Sequence, residues 1–463
     1  MQKNHRSKRT GFAFRPRLRV AFAVLVLLAT VFGGVLPGWA ERESVLYSFT
    51  GSSDGAHPMT SLIADHAGNF YGTASYGGLF QGNECSQDGC GVVFRLSRNS
   101  GEWTETVIYT FTGGADGASP FAGLKLDAQG NLYGTTVGGG SFQGSDCEDF
   151  GCGVVFELSP NGGGGWTECV LHSFRGGTDG FAPFGPLTFD PQGNLYGTAP
   201  MGGSYGAGEI YKLSRANGGW KYLVVHAFTG GRDGGFPSAG VALDGAGNIF
   251  ASTDNDGGQC AYGTGCGTVV ELSPKSTGGY QTEVIYIFSG GDDGGTPGTL
   301  TLDRWGNLYG AAFHGGSLNT NCINESFGEG CGLVFEISPR RGGGWKGRIL
   351  YTFQGGLDGA LPASRVAIDV FGNLFGTTES GGDSACNYCG VVYALAPTRR
   401  GEWKEITLHV FTGGSDGSDP GGNGITLDGL GSLFGAAQGG GSECFLYDGC
   451  GVIYKLTLGG NGP

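Results

Sequence analysis

Apolar residues along this chain fall in short runs separated by polar, glycine-rich stretches. Gly123-Leu124-Lys125-Leu126, Leu132-Tyr133-Gly134-Thr135, Val154 to Ser159 and Trp166 to Phe174 form one such set. Each run is rich in β-branched or aromatic residues and too short for a helix, so each predicts a strand. Between the first two lies Asp127-Ala128-Gln129-Gly130-Asn131. This predicts a tight turn, because Asp accepts hydrogen bonds from N–H groups ahead of it and Gly takes positive φ. A long Gly-rich loop joins the second run to the third. No helical apolar period of useful length occurs outside residues 20–36.

The set recurs seven times. The Gly-Asn of the turn returns at Gly68-Asn69, Gly130-Asn131, Gly193-Asn194, Gly247-Asn248, Gly306-Asn307 and Gly372-Asn373, and is degraded to Gly431-Ser432. An Asp stands three residues before each Gly, from Asp65 to Asp428. The fourth run ends in Phe at 49, 111, 174, 228, 288, 353 and 411, and an Asp-Gly-x-x-Pro segment follows each. Four strands per repeat of about 60 residues read as propeller blades. The last repeat stops after its third run, Val452 to Leu456, while Val45 to Phe49 is an orphan fourth strand that aligns with Val107 to Phe111. Pairing the two removes both sheet edges, whereas an open solenoid would need capping repeats. The expectation is an all-β, seven-bladed β-propeller over residues 41–463, four antiparallel strands per blade, closed by the N-terminal strand.

Composition changes this picture little. Gly accounts for 98 of 463 residues and Pro for 17, close to low complexity, but the aromatic residues keep fixed places in each repeat, as disordered tracts do not. Residues 1–19 carry seven Lys or Arg and no acid, Val20 to Leu36 is apolar, and Pro37-Gly38-Trp39-Ala40 supplies small residues before Glu41. Residues 1–40 therefore read as a secretory signal peptide, with an uncleaved anchor as the alternative. Beyond residue 40 there are 41 acids and 20 Lys or Arg. That balance argues against nucleic acid and against anionic lipid surfaces. It reads mainly as a solvated surface; recruitment of Ca²⁺ by acidic loops is the sharper alternative. A monomer is expected.

Of thirteen cysteines, twelve share one slot, the loop between second and third strands: Cys85/Cys90, Cys147/Cys152, Cys260/Cys266, Cys322/Cys331, Cys386/Cys389 and Cys444/Cys450. In an exported chain these predict in-loop disulfides. The third repeat has only Met201 to Gly208 there and should leave a gap in the rim. Cys169 stands alone in a fourth strand and is expected to be a buried thiol.

Loops carry function on rigid scaffolds, and the cysteine loops share one face with the Asp-Gly-x-x-Pro loops. Residues that break the repeat on that face are the candidates for binding: Asp254, Asn255 and Asp256 beside Asp292 and Asp293, with His57, His314 and Arg365. Each also reads as plain exposed variation. No nucleophile elbow, zinc-protease helix or phosphate loop is present. The aromatic residues opening the fourth strands, Trp103, Trp166, Trp220, Tyr280, Trp345 and Trp403, are expected to pack between blades, with sugar stacking as the alternative.

The Asp-x-x-Gly-Asn-Leu-Tyr-Gly-Thr copies and the Phe-Thr-Gly-Gly-x-Asp-Gly segments, such as Phe111 to Gly117, resemble those of the choice-of-anchor tandem repeat proteins of the GloVer type. The resemblance covers 41–463 and implies an exported bacterial protein whose repeats have no assigned activity. It also implies a surface-sorting tail, which Leu458 to Pro463 does not resemble. Two functional expectations stand side by side. One is a non-catalytic binding or scaffold module for a protein or glycan, without a cofactor. The other is an extracytoplasmic hydrolase or lyase acting on a saccharide or cyclic peptide at the central channel.

Overall fold

The computed structural model describes residues 42–459, apart from 79–84, 86–87, 143–146, 148–149, 217, 256–265, 318–321, 323–329, 363, 383–385, 387–388, 423 and 442–448. Within these residues the chain forms seven antiparallel sheets arranged as the blades of a propeller. The second blade is typical: Lys125–Leu126, Leu132–Thr136, Val154–Pro160 and Trp166–Ser173 pair in sequence order from the axis outward. The fifth blade adds Gly295–Pro297, which pairs with its second strand. Arg42–Ser48 is the outer strand of the seventh blade, pairing from Arg42 opposite Thr457 to Ser48 opposite Val452 with one register shift between Val45 and Tyr47. The ring is thus closed by non-local pairing. Three bonds reinforce the closure: Phe49 N to Gly451 O, His57 N to Cys450 O, and Thr426 Oγ1 to Leu62 O.

The turn between first and second strands is held by one carboxylate. Asp127 Oδ1 accepts from the N–H groups of Gln129 and Asn131, and Oδ2 accepts from Asn131 Nδ2 and Tyr133 Oη, all within 3.0 Å. The same set forms on Asp65, Asp190 and Asp303. At Asp65, burial alone would raise the carboxyl pKa, but these donors outweigh it and hold it below the usual range.

Each blade meets the next through aromatic rings. The Phe that ends a fourth strand lies edge-on to the third-strand ring of the following blade, with centroids 5.0–5.4 Å apart in six of the seven seams, including Phe49 on Phe94 across the closure. Further out, Trp side chains pack in the opposite direction, edge-on to second-strand rings of the preceding blade: Trp166 on Tyr71, Trp220 on Tyr133 and Trp345 on Phe250.

These rings explain the glycine that follows the Tyr or Phe of the second strand in six blades. A Cβ on Gly72, Gly134, Gly197, Gly310, Gly376 or Gly435 would sit 2.3–2.5 Å from the third-strand aromatic directly opposite. The fourth blade shows the compensating pair, Ala251 opposite Val270. Where the ring is gone, the methyl is tolerated.

Gly134→Ala should therefore cost about 1–3 kcal/mol, the usual penalty for overpacking. Combined with Phe156→Val it should cost less than the sum of the two single changes, read from urea denaturation midpoints. Strict additivity would refute the interlock. Deleting residues 42–49 should expose the edge of the seventh blade and produce aggregation or a broad, non-cooperative melt. A deletion variant that melts like the parent would show that the ring does not need this strand.

Candidate functional site

Loops from second to third strands and from fourth to first strands share one face, where they are bridged blade by blade. Ala56 pairs with Tyr76, Ala118 with Gly138, Phe181 with Met201, Gly235 with Asn255, Ala360 with Ser380 and Ser418 with Gly439. The residue before each loop proline has φ between 50° and 59° in all seven repeats: His57, Ser119, Ala182, Phe236, Thr296, Leu361 and Asp419. Left-handed backbone costs an L-residue about 1–2 kcal/mol. It is held because each N–H donates, at 2.8–3.2 Å, to a carbonyl of the preceding blade. That carbonyl belongs to the second cysteine of the loop, or to Ala207 in the third blade, which has none.

The loop aspartates are structural. Asp116 accepts from Thr112 N, Thr112 Oγ1 and Tyr109 Oη. Asp293 likewise accepts from Ser289 N, Ser289 Oγ and Tyr286 Oη, so its carboxylate is spent on its own turn. Asp292 is exposed beside it. These two do not join the other candidates.

Disulfides close the loops at Cys85–Cys90, Cys147–Cys152, Cys322–Cys331 and Cys386–Cys389. Cys266 and Cys450 are also disulfide-bonded. Their expected partners, Cys260 and Cys444, lie outside the described residues, as does Asp256. Cys169 departs from expectation: it is an exposed free thiol. It lies on an outer strand, whose alternate side chains face solvent rather than a neighbouring blade.

Asp254 and Glu379 occupy the same place in the fourth and sixth blades, directly after the second strand. Asp254 accepts a 2.9 Å bond from Ser238 Oγ, yet burial pushes its carboxyl up to about 6. Glu379 lies against the loop that enters the seventh blade, where a Cβ on Gly421 would meet its Cγ at 2.1 Å. Burial, with the charge of Asp419 added, pushes Glu379 up to about 8. Asn255 pairs by backbone with Gly235, and the His314 ring packs on Phe313 at 4.7 Å. Arg365, two residues before the first strand of the sixth blade, donates from Nε to Thr301 Oγ1 of the fifth blade at 3.1 Å. Among the described residues no group of three or more His, Cys, Asp or Glu side chains converges to hold a metal ion.

The structure thus brings Asp254 into one class with Glu379, which sequence reasoning missed together with Asp419. A column-by-column alignment of the repeats carries the signal: the place holding Asp254 and Glu379 is Ser75, Val137, Pro200, Phe313 and Gln438 elsewhere.

The rim is uneven. Beside the third blade, where the loop turns tightly through Gly206 N to Gly203 O and Gly208 N to Gly202 O, an open hollow of about 500 Å³ remains. Phe181, Met201 and Phe236 line it with Thr178 and glycines, and Met201 and Phe236 are more than a third exposed. A second hollow, of about 350 Å³, lies between the first and second blades against Tyr76, Asp88, Phe121 and Phe150. His57, Tyr76, Phe121 and Phe184 follow one another edge-on at centroid distances of 5.3, 6.5 and 5.6 Å. The loop face is therefore aromatic over the first four blades, while carboxyl groups gather at the fourth, sixth and seventh.

Among the described residues no helix is long and apolar enough to cross a membrane. No curated protein matches the sequence. Similar solved structures include a protein from Lactobacillus plantarum, 14% identical over 77% of this chain and 86% of that one, with a TM-score of 0.45. The PQQ-bound aldose sugar dehydrogenase from Streptomyces coelicolor is 11% identical over 92% of this chain and 100% of that one, with a TM-score of 0.39. A gluconolactonase from Xanthomonas campestris is 15% identical over 54% and 67%, with a TM-score of 0.32. Likenesses this distant carry nothing about chemistry. The profile of the Gloeobacter/Verrucomicrobia repeat matches residues 40–266 and again 262–462. By these two tandem matches, which span all seven blades, the chain belongs to the Gloeobacter/Verrucomicrobia repeat family.

Proposed function

We propose that this chain is an exported binding propeller that takes an apolar side chain of a protein or peptide partner into the hollow beside its third blade. One observation carries the reading: the only repeat without a cysteine loop leaves an open hollow walled by Phe181, Met201 and Phe236, with Tyr205 exposed nearby. Exposed apolar surface set in a polar rim is characteristic of interaction sites. The walls offer few hydrogen-bonding side chains, which suits an apolar anchor better than a sugar. Export is supported by the basic and apolar leader and by disulfides that persist in oxidising compartments.

Peptides selected on the wild-type protein from a random displayed library should share an aromatic or aliphatic anchor. Phe236→Asp, or replacement of residues 201–208 by the 138–153 loop, should weaken them at least tenfold, since a buried anchor contributes about 1.5–3 kcal/mol. Selected peptides that bind the loop replacement as they bind the parent would sink the site. So would a glycan array that yields binders when the peptide library yields none.

A second reading, acid–base chemistry at the channel mouth, is favoured by the neighbouring carboxyl groups of Glu379 and Asp419, because paired carboxyls that hold a proton near neutrality suit such work. The folded protein keeps the Glu379 proton up to about pH 8, whereas the unfolded chain releases it near 4.5. This group therefore makes stability fall as pH rises from about 4.5 to 8. Glu105, Glu168, Glu209 and Glu405, each pushed up to about 7 chiefly by burial, add to the same trend. Glu379→Gln should reduce, without abolishing, the drop in melting midpoint between pH 5 and pH 8. An unchanged drop would mean that Glu379 holds no such proton, and the second reading would fail with it.

A further inference from the structure

The face opposite the loop face carries the turns from first to second strands and from third to fourth strands. Within a blade the two turns are neighbours: a Cβ on Gly306 would lie 3.8 Å from Pro339 Cγ. In the inner row the turn aspartate needs only the backbone N–H of the residue two places on, as Asp303 accepts from Trp305 N and Asp369 from Phe371 N, both at 2.8 Å. The turn therefore leaves the side chain there open to choice. It is Ala67, Gln129, Gln192 and Ala246 in the first four blades, but Trp305, Phe371 and Leu430 in the last three. These three are 66, 70 and 91% exposed, and Val370 beside Phe371 is 85% exposed. The blades that carry them are consecutive, and Thr301 Oγ1 donates at 2.6 Å to Val366 O between the fifth and sixth.

The outer row brings positive charge to the same blades. Arg340 and Arg341 form the turn of the fifth blade, and Arg399 and Arg400 that of the sixth, all exposed. The corresponding stretch is Asn161 to Gly164 in the second blade and Lys275 to Gly278 in the fourth, and adjacent arginines occur at no other such turn. Arg304 adds a fifth guanidinium, stacked 4.3 Å over the Trp305 ring. The acids at these turns are Asp303, Asp369 and Asp428, whose carboxylates are bonded within their own turns, and the exposed Glu402. An apolar patch rimmed by arginine thus stands on a chain that is acidic as a whole. Large apolar side chains exposed together mark an interaction surface, and the rim tells the sign of what it meets.

We infer that this face docks on a lipid bilayer bearing anionic headgroups, with Trp305, Phe371 and Leu430 entering the interface and the arginines meeting lipid phosphates. Tryptophan and aliphatic side chains on turn tips suit the boundary between headgroups and acyl chains, and a guanidinium fork matches two phosphate oxygens. The chain itself leads to the same face. Arg42 lies opposite Thr457, and Leu458 N donates at 3.0 Å to Gly431 O in the inner turn of the seventh blade, so the basic and apolar leader joins the propeller on this side. The overall acidity weighs against anionic membranes only where it is spread evenly, and here the local sign is reversed within the reach of screened charges. Docking by this face would turn the loop face outward. It is independent of the hollow at the third blade and would leave that hollow open.

The test is flotation of the exported protein, freed of residues 1–40, with phosphatidylcholine vesicles that contain or lack phosphatidylglycerol. Wild-type protein should float with the anionic vesicles, at least about tenfold more than with the neutral ones, and high salt should release it. Trp305→Gln with Phe371→Gln and Leu430→Ala should lower that binding by about tenfold or more, and so should Arg341→Ser with Arg399→Ser and Arg400→Thr. Each replacement installs a residue already found at that place in another blade, Gln129, Ala67, Ser276 or Thr277, so both variants should melt like the parent. Brominated lipid should quench the tryptophan fluorescence of the wild-type protein, and Trp305→Gln should remove most of the quenching. Equal binding to both kinds of vesicle, binding to neither, or undiminished binding by the two variants would overturn the proposal. So would self-association that the same variants abolish, which would assign the face to a second copy of this chain.

Discussion

The propeller depends on an aromatic ring seated over a glycine. In six blades a third-strand Phe or Tyr lies across the bare Cα of the second strand, and the Phe of the preceding blade meets that ring edge-on. Without the glycine the ring has no seat; without the ring the preceding blade loses its edge-on partner, as Phe228 does at Val270, where it packs on aliphatic side chains instead. This couples packing inside a blade to packing between blades, so small sheets that would be marginal alone share a continuous core. The fourth blade shows the rule by its exception, with both partners reduced together to Ala251 and Val270.

Much of this architecture was legible in the chain because it is repeated. Asp127 to Asn131 announces its turn by residue type alone, and the truncated last repeat matched to Val45 to Phe49 announces the closure. The cysteine slots were equally plain. What the sequence hid lies in relations between repeats rather than within one. Glu379 carries no signal within its own repeat, because the carboxylate that acts on it, Asp419, belongs to the loop entering the next blade. Asp293 erred in the other direction: its acidity suggested a site, but every repeat uses that carboxylate to hold a turn. Cys169 was expected inside because cysteines often are, whereas an outer strand has one face with nothing to cover it.

The loop face is therefore built from two kinds of position. One kind is fixed by backbone bonding and identical from blade to blade. The other differs from blade to blade: carboxyls at the fourth, sixth and seventh, and aromatic rings over the first four. The sevenfold scaffold is symmetric, but its chemistry is not, and asymmetry is what any recognition of a particular molecule requires.

The seven left-handed residues before the loop prolines give this division a further meaning. Their backbone is held by a carbonyl of the blade behind, so its geometry is the same whether the side chain is histidine, serine, alanine, phenylalanine, threonine, leucine or aspartate. The strain is already met by the ring and is nearly indifferent to what is mounted there. Such a rim works like a row of sockets. A single codon can exchange one fitting for another without disturbing its neighbours, so relatives of this protein can change what they hold far faster than they change what they are.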